Sequence, residues 1–368
     1  MTPWSVVKDR RDDNHVPLRP LRFAAAALAA LVVLSLGFAL IPAEKPAPAK
    51  PGFSEQARAA ALSDALELRA AGQGLAAGGT VDSTTLDGVV TLLTIQARAL
   101  QSPSSAPAAQ ASPSPSPVAA GPAMGVAGLV QALAASGAAR VKDAEGADGG
   151  MARLLAGTGT AQLLTAGRLA AAAGVPAPPV TAAVPDAEVS GAASSASPCV
   201  APAAAESTGP GGPADAREAL AAVTAVEQQA IYAYQAALPR LAPAEAGPAS
   251  EFLGQHKGLA ASAEDRLRDA CAASVPQQPG YLLNGDFLSA PVAGLGRIEA
   301  STLTAYGDAV ALSRGQDRAW ALGALQSAAA RTARWGADPG PVPGLILDVG
   351  QLPALDAGDP AMASPAAS

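Results

Sequence analysis

The stretch VTAVEQQAIYAYQAAL, residues 223–238, decides the fold. Read at 3.6 residues per turn, it is an amphipathic helix with Val223, Ile231, Tyr234 and Leu238 on one face. Glu227 falls on that same apolar face. An isolated buried charge is costly, so this carboxylate requires a partner. A second stretch, LGRIEASTLTAYGDAV at residues 295–310, repeats the face 72 residues later. Leu295 stands for Val223, Glu299 for Glu227, Leu303 for Ile231, Tyr306 for Tyr234 and Val310 for Leu238. In both copies the Glu precedes a Tyr by seven residues, about two helical turns. The pattern predicts two helices that each direct a Glu and a Tyr into one shared core.

Two further helices fill in around them. Ser250 to Ala273 reads as helical, with Leu253, His256, Ala260, Ala263 and Leu267 on one face. Asp317 to Trp335 reads likewise, with Leu325, Ala328, Thr332 and Trp335 on one face. The segment from Val275 to Pro291, rich in Pro, Gly and Asn, is long enough to cross between two hairpins. Residues 214–337 therefore form a four-helix domain in an all-α chain.

That domain resembles the ferritin-like domain of unknown function (DUF4439) of exported actinobacterial proteins. The resemblance is carried by Glu227, Tyr232 and Tyr234 in EQQAIYAY, His256 in QHKGLAASAEDRLRDA, and ARTARW ending at Trp335. In that family the first motif usually reads Glu-His; here Gln228 follows the Glu. The resemblance implies a ferritin-like four-helix bundle and an exported protein, and no activity.

A ferritin-like di-iron site takes a single Glu from each of two helices and a Glu-x-x-His from each of the other two. Glu227 and Glu299 supply the single glutamates, and His256 one histidine. Leu253 stands where a Glu is needed, and Leu325 and Ala328 where the last Glu and His should be. A dinuclear centre is therefore not expected. The expectation is a buried polar cluster, or vestigial metal site, of Glu227, Tyr234, His256, Glu299, Tyr306 and Arg331. In it a protonated His256 lies between the two carboxylates, and Arg331 either neutralises a Glu or is solvated. No cofactor is expected; the alternative is one divalent metal on Glu227, His256 and Glu299. Tyr234 and Tyr306 are read as packing residues whose hydroxyls meet carboxylates, the alternative being that they bond a metal ligand or carry an electron. Glu264 is placed at the edge of the core.

The rest of the chain follows in order. Residues 1–22 are polar and basic, and residues 23–42 form an uncharged apolar run of membrane-spanning length. The basic flank places the N-terminus in the cytoplasm and the bulk outside. This predicts a single-pass membrane anchor. A cleaved signal peptide ending near Gly37-Phe38-Ala39 would give a secreted protein instead. Residues 43–52 form a Pro-rich stalk. Residues 53–174 predict helical hairpins, with Ser54 and Ser83 as helix starts and Gly149-Gly150 between the last two helices. A low-complexity linker at 102–122 interrupts them. Residues 175–213 read as a disordered linker. Residues 338–368 are a Pro/Ala-rich tail that packs partially through Leu345, Ile346 and Leu347.

Charge and motifs exclude several functions. The chain of 368 residues carries a formal net charge of −7. It has no basic stripe with interleaved aromatics, so nucleic acid is not an expected partner. No Gly-rich loop follows a strand, which argues against nucleotide-binding folds. His15 and His256 are the only histidines. A Ser-His-Asp arrangement would have to use His256, which sits mid-helix and is poorly placed for it. The two cysteines, Cys199 and Cys271, predict a disulfide in an exported chain. The loop it closes would contribute about 4 kcal/mol in the chain-entropy model. Two function classes remain. One is a membrane-tethered structural or partner-binding module of the cell envelope, its partner an unknown envelope protein or small ligand. The other is a metal-binding protein or metal-dependent oxidoreductase.

Overall fold

The computed structural model describes residues 23, 27–31, 51–79, 82–101, 124–178 and 213–355. The chain divides into two compact units, Met1–Lys50 and Pro51–Ser368. In the first, residues 27–31 are helical with every side chain exposed, Leu28 and Leu31 at 70% each. The predicted segment 1–22, most of the predicted anchor, the stalk before residue 51, the predicted linker 102–122, residues 179–212 of the second linker and 356–368 of the tail lie outside the described residues. No helix among the described residues is long and apolar enough to cross a membrane.

The second unit is all-helical among the described residues. Its elements are α1 (Phe53–Gly78), α2 (Ser83–Leu100), α3 (Val126–Gly146), α4 (Gly149–Ala173), α5 (Pro213–Ala237), α6 (Pro243–Asp269), the short α7 (Gly285–Ser289), α8 (Pro291–Leu312) and α9 (Gly315–Arg334). α1 pairs with α2 and α3 with α4, while α5, α6, α8 and α9 form the four-helix bundle. Along α5 the buried residues Leu220, Val223, Glu227, Ala230, Tyr234 and Ala237 recur every three or four positions, the period of one helical face.

The hairpins and the bundle share one core. Ala57, Ala61 and Leu100 pack in the same cluster as Leu155, Val223, Leu267, Tyr306, Trp320 and Leu325. α4 lies against α8. This is why α8 is buried on more than the expected face, with Thr302, Ala305 and Ala309 added to Glu299, Leu303, Tyr306 and Val310. Arg318, at the start of α9, is buried and donates through Nη1 to the carbonyls of Ala147 (2.7 Å) and Glu145 (3.2 Å) at the C-terminal end of α3. Those carbonyls have no partner within the helix, and a cation is favoured there.

The tail is a strap across both halves. Gln96 of α2 donates to the Pro341 carbonyl at 2.8 Å, and Arg153 of α4 to that of Gly344 at 2.6 Å. Arg98 holds the carbonyls of Val349, Leu352 and Pro353. The packing residues are Val342, Pro343 and Gly344; Ile346 is 83% exposed. The expected partial packing holds for the half-buried Leu345 and Leu347 and not for Ile346, and the fully buried anchor is displaced toward the N-terminus. The displacement follows from Gly344, which has φ +86° and lies against Gly307 of α8. Only a residue without a side chain fits that crossing.

Several local readings are corrected. α6 begins at Pro243 rather than Ser250, with proline in its first turn, where a missing N–H costs little. Its buried face is Ala249, His256, Leu259, Ala263 and Leu267; Leu253 is half-buried, and Leu259 takes the place expected for Ala260. Ser54 lies inside α1, where its hydroxyl accepts from the Asp148 amide at 2.8 Å. Ser83 opens α2 as expected, and Asp82 before it is the cap, accepting from the Thr85 amide. Gly149 and Gly150 open α4 instead of forming a loop. The crossover contains α7, capped by Asn284, which buries Phe287 against Gly294.

Candidate functional site: a buried carboxylate, imidazole and guanidinium cluster

Glu227 and Tyr234 come from α5, His256 from α6, Glu299 and Tyr306 from α8, and Arg331 from α9. The structure brings all six together in the bundle interior. Five are fully buried and Arg331 is 2% exposed. Tyr234 donates its hydroxyl to Glu299 Oε1 at 2.5 Å, and Tyr306 donates to Glu227 Oε1 at 2.8 Å. Each Tyr therefore serves the Glu of the other helix. With equal Glu–Tyr spacing on both, this reciprocity requires α5 and α8 to run in opposite directions.

His256 sits between the carboxylates. Nδ1 is 2.7 Å from Glu227 Oε2, and Nε2 is 2.9 Å from Glu299 Oε1. A neutral imidazole would point a lone pair at one carboxylate; only the imidazolium donates to both. Arg331 donates Nε to both oxygens of Glu299, at 3.1 and 3.0 Å. Two carboxylates and two cations leave the cluster with no net charge.

The electrostatics agree with that count. Burial disfavours the charged form of His256, but Glu227 and Glu299 outweigh it, and its pKa is raised. Burial likewise pushes Glu299 up, while Arg331 and His256 pull it further down, so its pKa is lowered. Arg331 is raised, burial being outweighed by Glu299 and Glu227. Burial and the facing carboxylates raise Tyr234 and Tyr306, which remain neutral donors.

In the sequence Trp335 reads as a packing residue on the inward face of its helix. It also donates Nε1 to the Tyr234 hydroxyl at 2.6 Å, extending the chain to Trp335–Tyr234–Glu299–His256–Glu227–Tyr306. The available signal was its position four residues after Arg331, on the same face of the helix. Tyr232 and Gln228 lie outside the cluster: Tyr232 packs on Tyr281, and Gln228 accepts from the Tyr281 hydroxyl. Glu264 is half-buried and accepts from the Val275 amide in the crossover. Cys271 follows α6 at φ 54°, and Cys199 lies outside the described residues. A groove of about 440 Å³ opens elsewhere, between α2, α4 and the strap, lined in part by Thr84, Leu92, Thr165, Arg168 and Asp338. It contains none of the six cluster residues.

The cluster does not fit a resident metal. A histidine ligand offers a ring lone pair, and both His256 nitrogens are committed to carboxylates. Every oxygen of Glu227 and Glu299 already accepts a hydrogen bond. The guanidinium beside Glu299 repels a further cation. Leu253, Leu325 and Ala328 supply no ligand atoms. Among the described residues, no group of three or more His, Cys, Asp and Glu side chains is arranged to hold an ion.

No curated protein and no solved structure matches the chain. Residues 219–346, which run from α5 through the four bundle helices into the strap, match the family described as "Domain of unknown function (DUF4439)".

Proposed function

We propose that this protein is a membrane-tethered, extracytoplasmic helical module of the cell envelope. Its ferritin-like bundle acts as a structural or partner-binding scaffold and not as an enzyme. The observation that carries this reading is the closed cluster: every carboxylate oxygen and both imidazole nitrogens are engaged in a neutral, fully buried network. Such a network holds four helices together and leaves no open ligand position or nucleophile. The two Glu–Tyr helices and the long crossover support the ferritin-like assignment. The apolar composition of residues 23–42, and the exposure of Leu28 and Leu31, support an anchor with the N-terminus in the cytoplasm. The partner is an envelope protein or small ligand, not nucleic acid.

A Cys199–Cys271 disulfide belongs to this reading. The chain has two cysteines, and no described cysteine is free. The bond would pin the segment before α5 to the end of α6. Thiol titration of the denatured, unreduced protein is expected to find none; two reactive thiols would end the idea.

The competing class, a metal-binding protein or metal-dependent oxidoreductase, uses Glu227, His256 and Glu299. Elemental analysis and melting of the purified full-length protein separate the two. The scaffold reading predicts well under one metal per chain and an unchanged melting temperature after chelation or on adding Fe²⁺ or Mn²⁺. Two irons per chain, or a large rise in melting temperature with either ion, would overturn it.

A further inference from the structure

We infer that the groove between α2, α4 and the strap is a binding site for a short zwitterionic peptide with aliphatic side chains. The groove shares no residue with the buried cluster, so this goes beyond the scaffold reading and does not depend on it.

Size and lining come first. The groove holds about 440 Å³, within the range of clefts that take small molecules. Its α2 wall runs from Thr84 to Ile95, about 16 Å at the helical rise, which is room for up to four extended residues. The floor is aliphatic: Val89 and Leu169 are buried, Leu92 and Ile95 half-buried. Apolar peptide side chains gain by covering such a floor. No aromatic side chain is among the described residues that line the groove, so a nucleobase has nothing to stack on. The polar groups are of both signs and uncommitted. Arg168 of α4 is exposed and makes no hydrogen bond or ion pair with a described residue. Asp338 of the strap is exposed, accepts the Gly340 amide at 2.9 Å and pairs with no described cation. The two charges thus face one groove from different walls without bonding each other. A carboxylate suits Arg168 and an ammonium suits Asp338. Gln162 of α4 donates to Gln96, and Gln96 to the Pro341 carbonyl, so the strap crosses at the level of Gln162. Arg168 stands six residues further along α4, an axial distance of about 9 Å. The termini of a short peptide are separated on that scale, and the two charges of one amino acid are not. Thr84, Thr91 and Thr165 also line the groove, and their hydroxyls bond no described residue. A hydroxyl both donates and accepts, which suits the amide groups between the termini.

The test is a titration of purified full-length protein with the tripeptide Val-Ala-Leu at low ionic strength, followed by calorimetry and by the carbon-13 methyl signals of isoleucine. Ile95, assigned through Ile95→Val, should shift, while Ile231 and Ile298 of the bundle stay in place. Acetylating the amine or amidating the carboxyl should each weaken binding about fivefold, the size of an exposed ion pair. Arg168→Gln should weaken the free peptide by as much and lose the sensitivity to amidation. Asp338→Asn should lose the sensitivity to acetylation instead. Gly88→Phe should abolish binding with helix content and melting temperature unchanged, since Gly88 lines the groove and a Cβ there meets no heavy atom within 4 Å. No shift at Ile95 with millimolar peptide overturns the inference and leaves the scaffold reading standing. So does binding that survives Gly88→Phe or is indifferent to blocking both termini. Sensitivity to one terminus alone makes the ligand a simple anion or cation and overturns the peptide. A metal found in the bundle, by contrast, overturns the scaffold reading and leaves the groove's peptide site standing.

Discussion

His256→Ala should destabilise the metal-free protein by about 3–5 kcal/mol, the cost of removing one partner from a buried ionic group. The substitution deletes the side chain that, among the described residues, bridges Glu227 and Glu299. Glu299 keeps its bonds to Arg331 and Tyr234, whereas among the described residues Glu227 keeps one hydrogen bond, from Tyr306, a neutral donor. Two buried carboxylates then face one guanidinium, and the cluster carries a net negative charge.

The same substitution should change the dependence on pH. The folded pKa of His256 lies above its ordinary value of 6.5. Its contribution is therefore complete below about pH 6.5, where the unfolded chain is protonated too. It falls by about 1.4 kcal/mol per pH unit above that, because the folded form alone retains the proton. It is gone once pH passes the raised folded value. Glu299 has the opposite sign. Its folded pKa lies below 4.5, so its contribution is complete above about pH 4.5 and is lost as pH falls through the folded value. The unaltered protein should show a plateau of melting temperature between these limits, with an alkaline limb that disappears in His256→Ala. An alkaline limb of equal slope in the variant would show that another group causes it.

Gly307→Ala should cost about 3 kcal/mol, at the upper end for overpacking, because what it strikes is backbone. A Cβ at Gly307 would lie 2.1 Å from the Gly344 carbonyl oxygen and 2.9 Å from Arg153 Nε. The strap must lift, and the bond from Arg153 to that carbonyl goes with it. Since α4, α8 and the strap meet there, the loss should reach both halves of the molecule. Urea unfolding of a Trp4→Phe background, which leaves Trp320 and Trp335 as the tryptophans, followed by circular dichroism, which reads all helices, and by tryptophan fluorescence, which reads the bundle, should give one coincident transition moved to lower urea. Separate transitions for the hairpins and the bundle would contradict the shared core.

The cluster was legible in the sequence for a local reason. Helical periodicity puts Glu227 and Tyr234, and Glu299 and Tyr306, on one face of each helix whatever surrounds them. A charge on an apolar face demands a partner, and His256 and Arg331 were the candidates on the remaining helices. What was not legible depends on contacts distant in sequence. Arg318 reads as an ordinary charged residue near a helix start until α3 ends against it. The second buried face of α8 is made of Thr302, Ala305 and Ala309, too small to announce burial by hydropathy. Hydropathy alone points to Leu345–Leu347 as the strap's anchor, because those are its most apolar residues. Backbone carbonyls held by Gln96, Arg98 and Arg153, and the approach of Gly344 to Gly307, fix it instead.

The central claim is that a protonated His256, and not a metal, joins the two carboxylates. Nitrogen-15 NMR of the histidine rings in chelator-treated full-length protein at pH 7 tests it most directly, with His15→Gln used to assign the signals. The account predicts that both Nδ1 and Nε2 of His256 carry protons and that added Fe²⁺ or Mn²⁺ leaves the folded protein's signals in place. A single unprotonated ring nitrogen at that pH, or stoichiometric loss of the His256 signals on adding metal, would contradict it.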